Sequence, residues 1–439
     1  MPYVHKVNVK YFDHDSGLSV LLPALYCESG IVISHLRYLA SYQYKSASWK
    51  ERSIFSLKLL IKYINAVQSF EKVTELLRSF TQALVVGTID YESFNDSTGL
   101  YWKARSITDA NNILFHITQY TDYLAVQEGY EFSRINPFRK ATNYEERLNW
   151  CAYYHKQANV FLNHLSKKSS AYIENRRVRE INGYPAPKIE QEKVVKFPED
   201  ELDKLLHIGF SKSGVSDYKS QAIAMLLNYG GLRKSEVFHL YVSDITLHPN
   251  RNNEALVRVY HPEFGSSPDS SFKNRRAYLQ ETTAYKPRTQ YRLSERLYSG
   301  WKGPLLTSKN YFFEVIFNPA EKAAEFLNTW VNYLKYQRVE PPENKTHPFA
   351  FTNSTGAPET IKNFQRVHKR AVEKIGLVPK KEYGTTEHGH RHAYGYRCKK
   401  LGLTQVEIQK AMHHKSPMSC LVYISPTSED LREEMRKVK

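Results

Sequence analysis

Residues 385–424 read TTEHGHRHAYGYRCKKLGLTQVEIQKAMHHKSPMSCLVYI, and the fold turns on them. His388 and Arg391 stand three apart, so on a helix both side chains leave one face and can reach a common oxygen-rich ligand. Nine residues separate His414 from Tyr423, room for one helix to end, turn and begin another that re-aims the phenol. Working outward, LNYGGLRKSE at 227–236 sets two glycines ahead of Leu232, allowing the tight path that delivers Arg233 into a cleft. Glu236, three residues on, is placed to orient that guanidinium. Arg233, His388, Arg391 and His414 could together surround one phosphodiester, and Tyr423 is a phenol that could attack it. The set points to DNA strand cleavage through a phosphotyrosine. Taken singly, Arg233 reads as a surface helix arginine, and with 32 tyrosines in the chain any one is far more often a packing residue. The joint match of identity, order and spacing carries the reading.

That order, Arg233, then His388-x-x-Arg391, then His414, then Tyr423, resembles the tyrosine recombinase (phage integrase) family over residues from about 196 to 424, and moderately over the helical region before them. The family's second motif usually reads His-x-Leu-Arg-His, and its third reads Leu-Gly-His with the nucleophile nine residues later. This chain departs at His390, where the family has Leu, and at His413, where it has Gly; neither replacement removes a reacting group. Shorter stretches, GWKG at 300–303, HPFAFTN at 347–353 and TTEHGHRHAYG at 385–395, are similar to the gamma-mobile-trio recombinases of bacterial mobile elements.

The resemblance implies a mainly α fold with a small β-sheet, in which a helical, SAM-like core-binding domain precedes a mixed α/β catalytic domain. It implies a site-specific recombinase or integrase working through a 3′-phosphotyrosine, with Arg233, His388, Arg391, His414 and Tyr423 as catalytic residues and no cofactor. A lysine between two strands would protonate the departing 5′ oxygen. Lys302 is favoured, then Lys309, with Lys273 or Lys286 behind them. Partners implied are double-stranded DNA, further copies of the chain as a dimer or tetramer on DNA, and accessory recombinases, in a bacterial cytoplasm at the nucleoid. Two other readings stand beside it: a type IB topoisomerase relaxing supercoils, and a DNA-binding regulator without turnover.

Composition agrees independently. With 62 Lys and Arg against 45 Asp and Glu, the formal charge of +17 favours a polyanionic partner, because each phosphate contact releases counterions. Cys27, Cys151, Cys398 and Cys420 form no C-x-x-C pair, which argues against a disulfide framework or a thiolate zinc site and for a reducing compartment. No secretory signal opens the chain and no uncharged apolar run of about 20 residues occurs, so a soluble protein without membrane association is expected.

At 439 residues the chain has length for two or three domains. Residues 1–45 suggest strands and turns with no assigned role. A helical domain over 46–165 opens with Ser48 as N-cap and Glu51 in a capping box, buries Ile54, Leu57, Ile61 and Ile64, and continues with helices near 74–90, 106–129 and 142–165. Residues 166–195, with Arg176 and Arg177, read as a basic interdomain linker that could touch DNA. The catalytic domain follows over 196–424, opening at Pro198. ALVRVYHP at 255–262 and FFEVIFNP at 312–319 read as strands, and the irregular segment from His261 to Gly300, with Lys273, Arg275 and Arg276, could contact DNA, contact a partner protomer or decorate the surface. Over 425–439, Leu431, Met435 and Val438 share one helical face, to be docked on its own domain or on a neighbouring protomer. His388, His390 and His392 alternate as metal ligands do on a strand, but a helix would turn them to different faces. No metal is expected, and His392 reads as a histidine that either supports the reacting residues from behind or packs in the core.

Overall fold

The computed structural model describes residues 3–12, 17, 19–67, 70–129, 134–157, 173–185, 194–251, 253–425, 432, 435 and 436. Two compact units divide the chain, 1–188 and 189–439.

In the first unit β1 (His5–Phe12) and β2 (Ser19–Cys27) form an antiparallel hairpin with His5 opposite Tyr26 and Phe12 opposite Ser19, and β3 (Gly30–Ile31) adds to β2. Four helices follow: α1 (Ile33–Ser41), α2 (Ala47–Ala66), α3 (Val73–Val86) and α4 (Ile107–Leu124). The period-2 pattern of β2 sends Leu22 and Ala24 into the same core as Leu39, Ile54, Phe80 and Ile113, so the strands and helix described within 1–45 are built into this unit rather than standing apart. The cap of α2 is Ser46, whose side chain accepts from Trp49 N, and not Ser48; Glu51 pairs instead with Lys6 at 2.7 Å. The buried stripe drifts to Leu60, leaving Ile64 41% exposed.

The expected linker is partly a strand. β5 (Arg177–Arg179) pairs antiparallel with β4 (Phe138–Lys140), on either side of α5 (Asn143–Gln157). Arg179 bonds Asp122 and lies 3.7 Å over the Phe138 ring, and Ile181 is buried, so 173–185 belongs to the first unit. Arg176 pairs with Glu146 at 3.1 Å, and Arg177 is exposed on β5. The remainder of 166–195 up to Val194, and the end of the helix expected to 165, lie outside the described residues.

The second unit opens with a helical run over 199–209, within which α6 is Leu202–Lys204, and a small hairpin of β6 (Ser211–Lys212) and β7 (Val215–Ser216). Its centre is α7 (Tyr218–Asn228), buried from Ser220 onward against α10 (Lys322–Tyr336), α11 (Ile361–Lys374) and α12 (Glu387–Lys400). α8 (Lys234–Val237) leads to a sheet of order β10-β9-β8, formed by β8 (Ile245–Leu247), β9 (Ala255–Tyr260) and β10 (Phe312–Glu314). The second expected strand is thus shorter than 312–319. α13 (Gln405–Ala411) and α14 (Leu421–Ile424) end the described fold; most of the tail helix expected over 425–439 lies outside the described residues.

The 261–300 segment is not loose decoration. It contains α9 (Arg275–Thr282), whose Leu279 packs with Tyr241 and Phe349. Arg275 is 1% exposed, grips Asp244 with two donors, and lies between the Tyr241 and Tyr260 rings at 4.1 and 4.2 Å. A side chain so enclosed cannot reach DNA, which corrects its reading as a DNA contact. Lys273 and Arg276 are exposed. At the entry of this unit Phe197 N donates to Gly389 O at 3.0 Å, and a Cβ on Gly384 would come within 2.2 Å of Lys196 O. Among the described residues, no helix is long and apolar enough to cross a membrane.

Candidate active site

α12 carries the centre of the site. Arg391, 3% exposed, donates from Nη1 to Gly231 O and from Nη2 to Met412 O at 2.6 Å. Gly231 lies two residues before Arg233 and Met412 two before His414, so one guanidinium ties together the three segments that bear the motifs. Gly231 is at φ +64 with the Tyr394 ring 2.6 Å from where a Cβ would stand, so both glycine's conformational range and its lack of a side chain are used there. Arg233 is held at the start of α8: its backbone N–H donates to Glu236 Oε2 at 2.8 Å and its Nη1 to Oε1 at 2.7 Å. Glu236 is fully buried while the Arg233 side chain keeps 21% exposure, so the carboxylate orients a guanidinium that still faces outward.

Tyr423, on α14, is 3% exposed, and its ring lies on α12 where Gly395 leaves space: a Cβ there would be 2.7 Å from the ring. Its hydroxyl is 3.1 Å from His392 Nδ1. His388, one helical turn before His392, packs its ring against it at 4.4 Å. His414 lies parallel to Tyr423 at 6.3 Å, with its Nδ1 3.2 Å from Cys420 Sγ. The structure thus gathers Arg233, Glu236, His388, Arg391, His392, His414 and Tyr423 in one place, and the hydroxyl partner is His392, the residue that follows the His-x-x-Arg motif.

Burial, then the charge of Arg391, Lys302, Lys234 and Lys381, holds His388 down to about 4. His392 is likewise at about 4, from burial and its neighbours His388, Arg391 and Lys381; His414 is at about 3, from burial, Arg391 and Arg233. These imidazoles are neutral at pH 7. Burial raises Tyr423 to about 12 against the opposing pull of Arg391 and Arg233. The fixed charge is therefore positive in excess: Glu236 answers Arg233 and Glu387 pairs with Lys234 at 3.6 Å, whereas Arg391 spends its bonds on neutral carbonyls. A site with this balance is suited to an anion.

Of the four candidate lysines, Lys302 is the one whose charge bears on His388. Lys286 lies over the Tyr291 ring at 4.7 Å, Lys309 sits in the turn before β10, and Lys273 precedes α9. Lys302 follows Trp301, which packs on His239 and His261, and Leu305 N donates to His413 O at 3.1 Å, anchoring the GWKG segment beside the histidines.

Both departures from the family pattern have physical accounts. His390, 0% exposed, accepts at Nδ1 from Asn228 Nδ2 at 3.0 Å, which leaves the hydrogen on Nε2 to be given to His368 Nε2 at 2.8 Å. It is a core histidine with its polar atoms paired. His413 takes φ +52, a left-handed turn that glycine adopts freely and histidine tolerates, and its ring stacks on Phe313 at 3.8 Å. On the helix His390 faces away from His388 and His392, and among the described residues no group of three His, Cys, Asp or Glu could hold a metal ion. Sequence reasoning missed Lys234, Lys381, Gly395 and Cys420. Only Gly395, a glycine within a helical run, carried a visible signal.

No family model matches the chain and no curated protein matches it. Solved structures similar to it include XerA recombinase, at 14% identity over 92% of this chain and 96% of that one with a TM-score of 0.35. Another is the Tn1549 transposon integrase in complex with transposon right-end DNA, at 16% over 87% and 99%, TM-score 0.36. A third is XerH site-specific recombinase bound to palindromic difH substrate in a post-cleavage complex, at 14% over 87% and 96%, TM-score 0.39.

Proposed function

We propose that the protein breaks and rejoins DNA strands through a phosphotyrosine on Tyr423, as a site-specific recombinase. The observation that carries this reading is a buried tyrosine hydroxyl beside two arginines, three neutral histidines and a lysine, with more positive charge than the site's own carboxylates neutralise. Arg233 and Arg391 would hold the non-bridging oxygens of one phosphate and stabilise the charge that builds in the pentacoordinate transition state. His414, with Nδ1 engaged by Cys420, has Nε2 left for a phosphate oxygen, and His388 steadies the same group. Lys302 gives a proton to the departing 5′ oxygen. The phosphotyrosine keeps the energy of the broken phosphodiester, so another 5′ hydroxyl can reverse the step. Neutralisation by the two guanidiniums does the work a metal would otherwise supply.

Exchange between two sites and movement of a mobile element are supported by the motif order and by the resemblance of 300–303, 347–353 and 385–395 to gamma-mobile-trio recombinases. Assembly of several copies on DNA, accessory recombinases and association with the nucleoid belong to the same reading. The test is covalent trapping. Full-length protein and Tyr423→Phe are incubated, with and without EDTA, with a pool of nicked duplexes of randomised sequence, and SDS-resistant adducts are sought. An EDTA-insensitive adduct absent from the variant supports the reading. Adducts persisting in the variant move the nucleophile elsewhere, and duplex binding without any adduct favours a regulator. Relaxation of plasmid of any sequence favours a topoisomerase.

A further inference from the structure

The geometry points to His392 as the group that takes the phenolic proton from Tyr423, with His388 left to the phosphate. This inference rests on the strand-breaking reading and assigns an atom to its first proton transfer. Three observations carry it. The Tyr423 hydroxyl lies 3.1 Å from His392 Nδ1, within the reach required of a general base. Gly395, one turn further along α12, lets the phenol ring lie against the helix that bears His392, so the pairing is a product of the packing. The other two imidazoles are disposed differently: His414 stacks parallel to the Tyr423 ring and directs Nδ1 to Cys420, and His388 packs at 4.4 Å on the His392 ring.

The step balances as follows. With its hydrogen on Nε2, neutral His392 offers the Nδ1 lone pair. As Tyr423 Oη bonds to phosphorus, its O–H bond breaks and the proton passes to Nδ1. The 5′ oxygen leaves with the P–O bonding pair and takes its proton from Lys302. Rejoining runs the same transfers in reverse. Burial, His388, Arg391 and Lys381 keep the empty site's His392 a weak base. A phosphate neutralising Arg391 removes part of that restraint, so basicity rises when the substrate is seated.

The experiment uses full-length protein and the trapped nicked duplex. His392→Ala should slow single-turnover adduct formation by about 10²- to 10⁴-fold with duplex affinity unchanged. Added imidazole should restore the rate, and the restored rate should climb with basicity across substituted imidazoles. His392→Gln keeps an acceptor for the hydroxyl but cannot hold a proton; it should bind duplex normally and remain slow, separating chemistry from packing. Wild-type rates in either variant, or rescue of His388→Ala by imidazole without rescue of His392→Ala, overturn the assignment. Failure of wild type to form any Tyr423-dependent adduct instead removes the strand-breaking reading, and this one with it.

Discussion

Gly395 shows how much a missing methyl group can decide at the residue scale. A Cβ there would press on three atoms of the Tyr423 ring at 2.7–2.8 Å, so Gly395→Ala should push the phenol off α12. In a helix the same change favours the fold by up to about 1 kcal/mol. Adduct formation should therefore fall about 100-fold or more, and because the displaced ring belongs to a buried cluster, an overpacking cost of about 1–3 kcal/mol offsets the helix gain and the melting temperature should hold or fall, read by trapping and by melting. His413 sits at φ +52, where Ala is strained by about 1–2 kcal/mol and Gly is not. His413→Gly should accordingly be the more stable of the two truncations by about 1 kcal/mol in urea unfolding, since both lose the stacking on Phe313. The His-x-x-Arg pair was legible because a helix repeats every 3.6 residues. The contact between His392 and Tyr423 was not: it spans 31 residues and depends on the turn at His413.

Elements built from long-range pairing were the ones the sequence concealed. Arg275 looked like a surface cation in a basic loop, yet α9 drives it between two tyrosines onto Asp244. Arg275→Ala should cost roughly 3–5 kcal/mol, because Asp244 is left buried and unpaired. Exposed Lys273→Ala and Arg276→Ala should stay within about 0.5 kcal/mol. Chemical denaturation of the three variants checks the ordering; similar losses for all would contradict the packing. β5 reads as linker from sequence for a related reason: its partner β4 lies nearly forty residues earlier, and Arg-Val-Arg has no strand signature by itself. Ser46 and Ser48 illustrate a local ambiguity, two possible caps two residues apart, settled by which side chain reaches an N–H. The helical face of α12 is legible in the three-residue spacing of His388 and Arg391.

For the whole molecule, acidity is the sharpest test. Nine histidines, six of them His239, His368, His388, His392, His413 and His414, are held at about 3 or 4, chiefly by burial. Their folded values lie below the unfolded 6.5, so the unfolded chain binds more protons between those limits. Stability from this source is complete above pH 6.5 and is lost as pH falls toward 4. Urea midpoints should drop steeply between pH 7 and 5, with several protons taken up per molecule unfolded; a flat profile would mean that these rings are not buried. The overall charge of +17 was plain from composition, but which histidines are enclosed was invisible, since burial is set by elements far apart in the chain.

The hydrogen bond from Phe197 to Gly389 joins the first residues of the second unit to the residue after His388. Gly384, with no room for a side chain beside Lys196, closes the other side of that joint. A backbone bond of this kind is indifferent to the side chain of its donor, so the entry to this unit and the first turn of α12 stay fastened whatever residue occupies 197, proline excepted.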